Sequence, residues 1–439
     1  MSVLERVREN EARTVRDVVS DGHAPVRSQV KRDLVSYLGL ATVASMAASE
    51  DPGRAQGELE VACRALLNMR EYPGLEPSDH QQITREVLDE ILGLGPIQPL
   101  LDDETVTEVM VNGCKSLFYE RGGTMHQASR VFETPEQILT VVDRILAPLG
   151  RRLDESNPLV NARLANGDRV NAVIQAVAPD GPIVTIRKFA SSAVTLSRLV
   201  ELGSLPEWYA RLLSWAVVLR QDVAVAGGTG SGKTTLLNAL SCEIPHGERV
   251  ITIEDSAELR FDSHPHVVRM ESRDASIEGT GEVTIRDLVK NALRMRPDRI
   301  VVGEVRGEEA IDMLQAMNTG HDGSLTTLHA GTDREAILRL VLMARFGMDL
   351  PTEIIEEQVA TALDLIVMSR RLPDGSRVIS SLSEVRRAKA GGVELETCVS
   401  FDEQAREWHL VREPSFLAVA EAADVIDGEE VRSWRSSCS

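Results

Sequence analysis

The eight residues Gly227-Gly228-Thr229-Gly230-Ser231-Gly232-Lys233-Thr234 fit the pattern G-x-x-x-x-G-K-[ST] and constrain this chain more than any other string in it. A short β-prone run, Val223-Ala-Val-Ala226, enters the loop, and Leu236 to Leu240 continues from it as a helix. Glycines let successive backbone N–H groups converge on one anion, and the N-terminus of the following helix adds roughly half a positive charge. In such a loop the segment Gly228, Thr229, Gly230, Ser231, Gly232, Lys233, Thr234 and Thr235 cradles the phosphates of a nucleotide. Lys233 neutralises the terminal phosphates and the Thr234 hydroxyl ligates Mg²⁺. ATP and Mg²⁺ are the expected cofactors.

Composition narrows what the nucleotide is for. The 439 residues carry 48 Lys plus Arg against 68 Asp plus Glu, a formal net charge of -20. An acidic surface repels phosphate backbones, and only 3% of the residues are aromatic, so no stacking track for nucleic acid is expected. Only six of the basic residues are Lys, which isolates Lys233 further. Five cysteines lie far apart with no C-x-x-C pair, which argues against a disulfide framework or a Cys-based zinc site and for a reducing compartment. The N-terminal string MSVLERVREN is charged from its fifth residue, without the apolar core of a signal peptide, and no run of about 18 apolar residues occurs. A cytoplasmic protein without a membrane span is expected.

Residues 1–92 read as helical, with apolar residues at three- and four-residue spacing in Leu4, Val7, Val15, Val18 and Val19 and again in Val87, Leu88, Ile91 and Leu92. The stretch 50–57 reads as a polar break, and Gly93-Leu-Gly-Pro96 ends the region. Residues 96–190 read as a mixed α+β domain. Asn112-Gly113 joins two apolar strands, Thr134-Pro135-Glu136 opens a helix to about Leu149, and three further strands occupy 159–164, 169–177 and 183–189. Over 195–385 a helical segment to Leu219 is followed by β-rich runs at Val223–Ala226, Val250–Ile253, Ile300–Val302 and Leu325–Leu328 that alternate with helices. That alternation predicts an α/β fold with a largely parallel sheet. Residues 386–439 read as short strands and an acidic tail.

In a parallel sheet the C-terminal strand ends share one edge, so acids and histidines that close a β-run become candidates. Glu304 closes Arg299-Ile-Val-Val-Gly303 and is the candidate for polarising an attacking water, directly or through the Mg²⁺ shell. Many P-loop enzymes place a Mg²⁺-binding Asp here, where this chain has Gly303. Glu254 and Asp255 close a second run, and His329, eight residues after His321, closes a third. His329 is placed to hydrogen-bond the γ-phosphate. His264-Pro-His266 lacks the further ligands a metal needs and reads as loop.

In this order the strings resemble the secretion and pilus-assembly ATPases of type II and type IV systems. They are Ile91-Leu-Gly-Leu-Gly-Pro96, Val106-Thr-Glu-Val-Met-Val-Asn-Gly113, the P-loop, the "Asp box" Ile253-Glu-Asp-Ser-Ala-Glu-Leu259, the stretch from Arg294 to Glu304 as an atypical Walker B, and the "His box" Thr319 to Ala330. Within that family the sequence looks most like the CpaF branch of tight-adherence (Flp) pili, since the four-cysteine module of the type II branch is missing. Conjugation-type members share most of the strings. Gly331 stands where the family tends to have Asn. The resemblance implies a RecA-like domain preceded by a smaller PAS-like α+β domain, in a homohexameric ring at the inner face of the plasma membrane. There it would work with inner-membrane platform proteins and with no direct nucleic-acid partner. It also implies arginines of the smaller domain closing over the phosphates, for which Arg163, Arg169 and Arg187 are the candidates by position, with Arg296 a lesser one. ATP would close the two domains, and hydrolysis assisted by Glu304, with Lys233, His329 and Glu254 in the catalytic set, would reopen them. The competing readings are a RecA-like nucleic-acid translocase and a nucleotide-gated scaffold that does not hydrolyse.

Overall fold

The computed structural model describes residues 22–47, 49, 51–164, 166–189, 194–261, 264–273, 275, 280–389 and 391–438. The periodic residues Leu4 to Val19 lie outside them. The chain divides into two compact units, residues 1–191 and 192–439.

In the first unit, helices α1 (Ala24–Leu38), α2 (Leu40–Ala47), α3 (Pro52–Met69) and α4 (His80–Ile91) bury Leu34, Leu59, Leu66, Ile83 and Val87 in one apolar cluster. Helix α3 begins inside the stretch 50–57 that the sequence reads as a break. Asp51 accepts the Arg54 N–H at 3.1 Å, so the polar residues there start a helix and do not interrupt one. After α5 (Gln98–Asp102) come strands β1 (Val106–Asn112), β2 (Ser116–Arg121) and β3 (Thr124–Gln127), helix α6 (Pro135–Leu146), and strands β4 (Leu159–Arg163), β5 (Arg169–Val173) and β6 (Ile183–Arg187). Among the described residues the six strands form one antiparallel sheet in the order β3-β2-β1-β6-β5-β4. The Asn112-Gly113 turn is demanding: Gly113 has φ of 64°, and a Cβ there would stand 2.8 Å from the Asp180 carbonyl oxygen. Thr134 caps α6 as the sequence predicts, accepting from the Gln137 N–H. The apolar face of α6, with Ile138, Val142 and Ile145, packs into the core beside Val109, Val111 and Ile186 of the sheet.

The second unit opens with α7 (Leu196–Glu201) and α8 (Glu207–Val218). Then come β7 (Val223–Gly227), α9 (Lys233–Ser241), β8 (Val250–Glu254), β9 (Val267–Glu271), α10 (Ile285–Ala292), β10 (Arg299–Val302) and α11 (Glu309–Met317). It continues through β11 (Leu325–His329), α12 (Asp333–Gly347), α13 (Thr352–Ala362), β12 (Leu365–Arg371), β13 (Arg377–Arg387), β14 (Val393–Asp402), β15 (Glu407–Leu410), α14 (Ser415–Ala422) and α15 (Gly428–Ser437). The sheet order is β15-β14-β13-β12-β7-β11-β10-β8-β9. Strands β12 through β9 are parallel, and β13, β14 and β15 extend the sheet antiparallel. Strands β7, β8 and β10 are buried along their whole length, which is why they read as apolar runs without alternation. Val223 and Val225 face a cluster completed by α8, α9 and the C-terminal helices, while Ala224 and Ala226 face another completed by α10 to α13.

The C-terminal segment departs from expectation. Strands β13 and β14 are long, and the tail folds as two helices that bury Phe416, Leu417 and Trp434 in the core. The Trp434 indole N–H donates to the Trp208 carbonyl oxygen at 2.7 Å, tying α15 to α8.

Candidate functional site

Parallel strands bring their C-terminal ends to one edge, and β7 delivers the glycine-rich loop there. Gly227 has no room for a side chain: a Cβ would lie 2.3 Å from the Ser369 carbonyl oxygen and 2.4 Å from the Ser231 hydroxyl. Gly230 and Gly232 adopt φ of 69° and 97°, the left-handed region that favours glycine. Gly232 is the N-cap of α9, and among the described residues no side chain caps that helix, the arrangement that suits an anion at its N-terminus. The buried Ser231 hydroxyl has no hydrogen-bond partner among the described residues. A cradle of glycines, an uncapped helix and an orphaned hydroxyl fit a chain of phosphates. Thr234 and Thr235 are half-buried in the first turn of α9, and Thr234 is the hydroxyl that would hold Mg²⁺.

Lys233 is buried, 8% exposed, with its Nζ 3.1 Å from the Gly228 carbonyl oxygen and 3.4 Å from His329 Nε2. The same imidazole nitrogen lies 3.0 Å from Glu304 Oε1. Burial and then the Lys233 charge hold the His329 pKa below its ordinary value, against the opposing pull of Glu304. The ring is therefore neutral at neutral pH. Lys233 donates to Nε2 when the ring proton sits on Nδ1, and Glu304 Oε1, though close, has no hydrogen-bond partner among the described residues. The second Glu304 oxygen accepts from Arg306 at 2.5 Å, and the same guanidinium reaches Asp255 at 3.5 Å. The result is a polar line, Lys233, neutral His329, Glu304, Arg306 and Asp255, that crosses the ends of β11, β10 and β8.

Glu254 is buried and its Oε1 accepts the N–H groups of Glu258 and Leu259, at 2.8 and 3.1 Å, holding the turn after β8. Its stem also fills the space beside Gly303, where a Cβ would stand 2.8 Å from Glu254 Cγ. Position 303 thus excludes a carboxylate because the neighbouring strand has already placed one there. Gly331, where the family tends to have Asn, donates its N–H to Glu335 Oε2 at 2.7 Å, and Thr332 then caps α12.

The structure separates some residues that the sequence grouped. His321 lies at the opposite end of β11 from His329, with Nδ1 3.2 Å from the Ala316 carbonyl oxygen. Arg296, with φ of 54°, precedes β10 on the edge away from the loop, so the strand itself keeps it from the phosphates of its own chain. Others are joined. In the first unit Arg163 pairs in register with Arg169, Arg169 with Arg187, and Arg187 with Glu108, which makes one row across four strands. The Arg163 guanidinium also lies over the Phe189 ring at 5.6 Å.

Sequence reasoning missed three residues at the loop. Arg306 stands two positions past Glu304, so a charge census of that string would have found it. Ser369 donates its hydroxyl to the Ser231 carbonyl oxygen at 2.6 Å, and the Arg377 Nε–H donates to the Gly230 carbonyl oxygen at 3.0 Å. Those two come from β12 and β13, about 140 residues downstream, and reach the loop because β12 pairs with β7.

Residues 90–406 match the family described as Type II/IV secretion system protein. A Mycobacterium tuberculosis (strain ATCC 25618 / H37Rv) protein named for conjugal transfer is 35% identical over 311 residues, covering 70% of this chain and 88% of its own. The Type IV secretion system protein VirB11 of Brucella suis biovar 1 is 35% identical over 301 residues, covering 62% and 83%. A crystal structure of the VirB11 ATPase from the Brucella suis type IV secretion system in complex with sulphate shares 32% identity with this chain. It covers 66% of this chain and 92% of its own, with a TM-score of 0.37. Among the described residues no helix is long and apolar enough to cross a membrane.

Proposed function

From the premise that this chain belongs to the Type II/IV secretion system protein family, we propose that it is an ATPase driving secretion or pilus assembly. The observation that carries the proposal is the placement of His329 within 3.4 Å of Lys233 and 3.0 Å of Glu304 beside an uncapped, glycine-lined loop. When bound, ATP supplies the γ-phosphoryl group and Mg²⁺ neutralises its charge. The amides from Gly228 to Thr235 hold the phosphates, and Thr234 holds the metal. Lys233 leaves the Gly228 carbonyl oxygen for the β- and γ-phosphates. Glu304 orients the attacking water and takes its proton, while neutral His329 has one N–H and donates it either to the carboxylate or to the transferring group. Glu254 supports this set through the turn after β8.

The row Arg163, Arg169 and Arg187 supplies positive charge from the first unit. Guanidinium groups that engage the nucleotide only on closure would couple its chemical state to the angle between units. Such hinges in a homohexamer would deliver work to inner-membrane platform proteins from the cytoplasmic face. The names of the relatives, conjugal transfer and VirB11, favour a conjugation-type motor. The absence of a four-cysteine module in the sequence also suits the tight-adherence branch. Genes for small pilins and polytopic platform proteins beside this one would select the second reading, and genes for a conjugation channel the first.

ATP hydrolysis by wild type and Lys233→Ala, each with and without DNA, tests the main proposal. Turnover that needs Lys233 and ignores DNA is expected. Stimulation by DNA would replace the motor with a translocase, and no turnover by an assembled wild type would leave only a scaffold.

A further inference from the structure

Glu304 is a flexible side chain at the end of a strand, and on one side it borders a cavity of about 380 Å³ also lined by Asp255, Arg273, Arg286, Arg306 and Glu308. A carboxylate beside so polar a space has many places to turn. What keeps it aimed at His329 is a single guanidinium: Arg306 grips Glu304 Oε2 at 2.5 Å with one nitrogen and reaches Asp255 with another at 3.5 Å. Arg306 is 62% exposed, yet its backbone is fixed. Its N–H donates to Glu309 Oε1 at 2.6 Å, and the Gly307 N–H donates to the same oxygen at 2.9 Å, which pins this segment to the start of α11. Asp255 is in turn held by the Ser272 hydroxyl at 3.1 Å.

We infer that Arg306 is a positioning residue for the water-activating carboxylate: its fork ties the end of β10 to the end of β8 and holds Glu304 in the orientation that faces the nucleotide. The inference rests on the reading of Glu304 given above. A planar guanidinium suits the task because it offers separate N–H groups in fixed directions to two carboxylates, where an ammonium offers one point charge. The charged groups that face Glu304 are His329, with Lys233 behind it, on the loop side, Arg306 and Asp255 on the cavity side, and Glu254 beside Gly303.

Steady-state ATP hydrolysis by the purified full-length chain tests this with four variants. Arg306→Ala is expected to lower kcat by about ten- to a hundredfold with KM for ATP near wild type, the effect of a misplaced reacting group. Arg306→Lys keeps the charge but not the bridge, so kcat should recover only in part. Asp255→Asn, which leaves the Glu304 contact intact, should give a smaller fall in kcat and serves if the alanine variant does not fold. Wild-type kcat in Arg306→Ala, or a raised KM at unchanged kcat, would overturn the inference. Glu304→Gln separates the two layers: if it turns over like wild type, the reading of Glu304 fails. If it is inactive while Arg306→Ala and Asp255→Asn are not impaired, only the role of Arg306 fails.

Discussion

The two edges of the second unit's sheet carry similar charge and use it in opposite ways. At the N-terminal strand ends Arg299 is 0% exposed, its Nε 2.5 Å from Glu248 and another of its nitrogens 3.1 Å from the Gly323 carbonyl oxygen. Gly323 has φ of 82°, and any Cβ there would collide with that guanidinium. Asp222 accepts the Ser324 N–H and Asp364 accepts the Asp222 N–H, each at 2.8 Å. These contacts stay within the fold. At the C-terminal ends the charges also pair, but the line is open: Arg306 is mostly exposed, the Ser231 hydroxyl is orphaned and the α9 N-terminus is uncapped. Charge density alone does not mark a site. Donors left over after the fold has satisfied itself do.

That contrast is broken most directly by exchange of symptoms. Glu304→Gln should cut ATP turnover by about 10²- to 10⁴-fold, the range for losing a general base, and leave the thermal unfolding midpoint near wild type. Arg299→Ala should do the reverse. It leaves half-buried Glu248 with Arg220 as its remaining cation and the Gly323 carbonyl oxygen without its donor, and should cost about 1–3 kcal/mol in denaturant unfolding, with KM for ATP of the folded fraction unchanged. A Glu304→Gln protein that turns over normally but melts early, or an Arg299→Ala protein that is stable but inactive, would erase the distinction between the edges.

The open edge was the more legible of the two, for a physical reason. Phosphate binding demands glycines and one lysine in unbroken sequence, so the loop is local, and strand ends that carry Glu304 and His329 follow from the alternation of β-runs with helices. What pairs across the sheet is not local. Strand β12 was not among the predicted runs, and Ser369 and Arg377 touch the loop only through the β12–β7 register. The arginine row is intermediate: its members were picked from two strings, but only strand pairing makes them neighbours. The C-terminal helices were missed because α14 and α15 are short and their buried residues, Phe416, Leu417, Val431 and Trp434, are few among acids. Eight to ten residues give too few turns for a helical period to stand out.

The comparison is sharpened at the closed edge, where among the described residues a carboxyl is buried with no paired cation. Burial first, and Asp364 second, push the Asp222 pKa up to about 9. A carboxyl whose folded pKa lies above its unfolded value near 4 binds its proton more tightly when folded. Its stabilising contribution is complete below the unfolded pKa and is lost as pH rises toward 9. Asp222→Asn keeps an oxygen for the Ser324 N–H but cannot ionise. Relative to wild type the variant should be equal or slightly less stable at pH 5 and more stable at pH 9, and thermal unfolding at pH 5, 7 and 9 reads that trend. A difference that does not change with pH would mean that Asp222 is ionised in the folded chain. The closed edge would then hold an uncompensated charge, and its separation from the open edge would no longer rest on internal satisfaction.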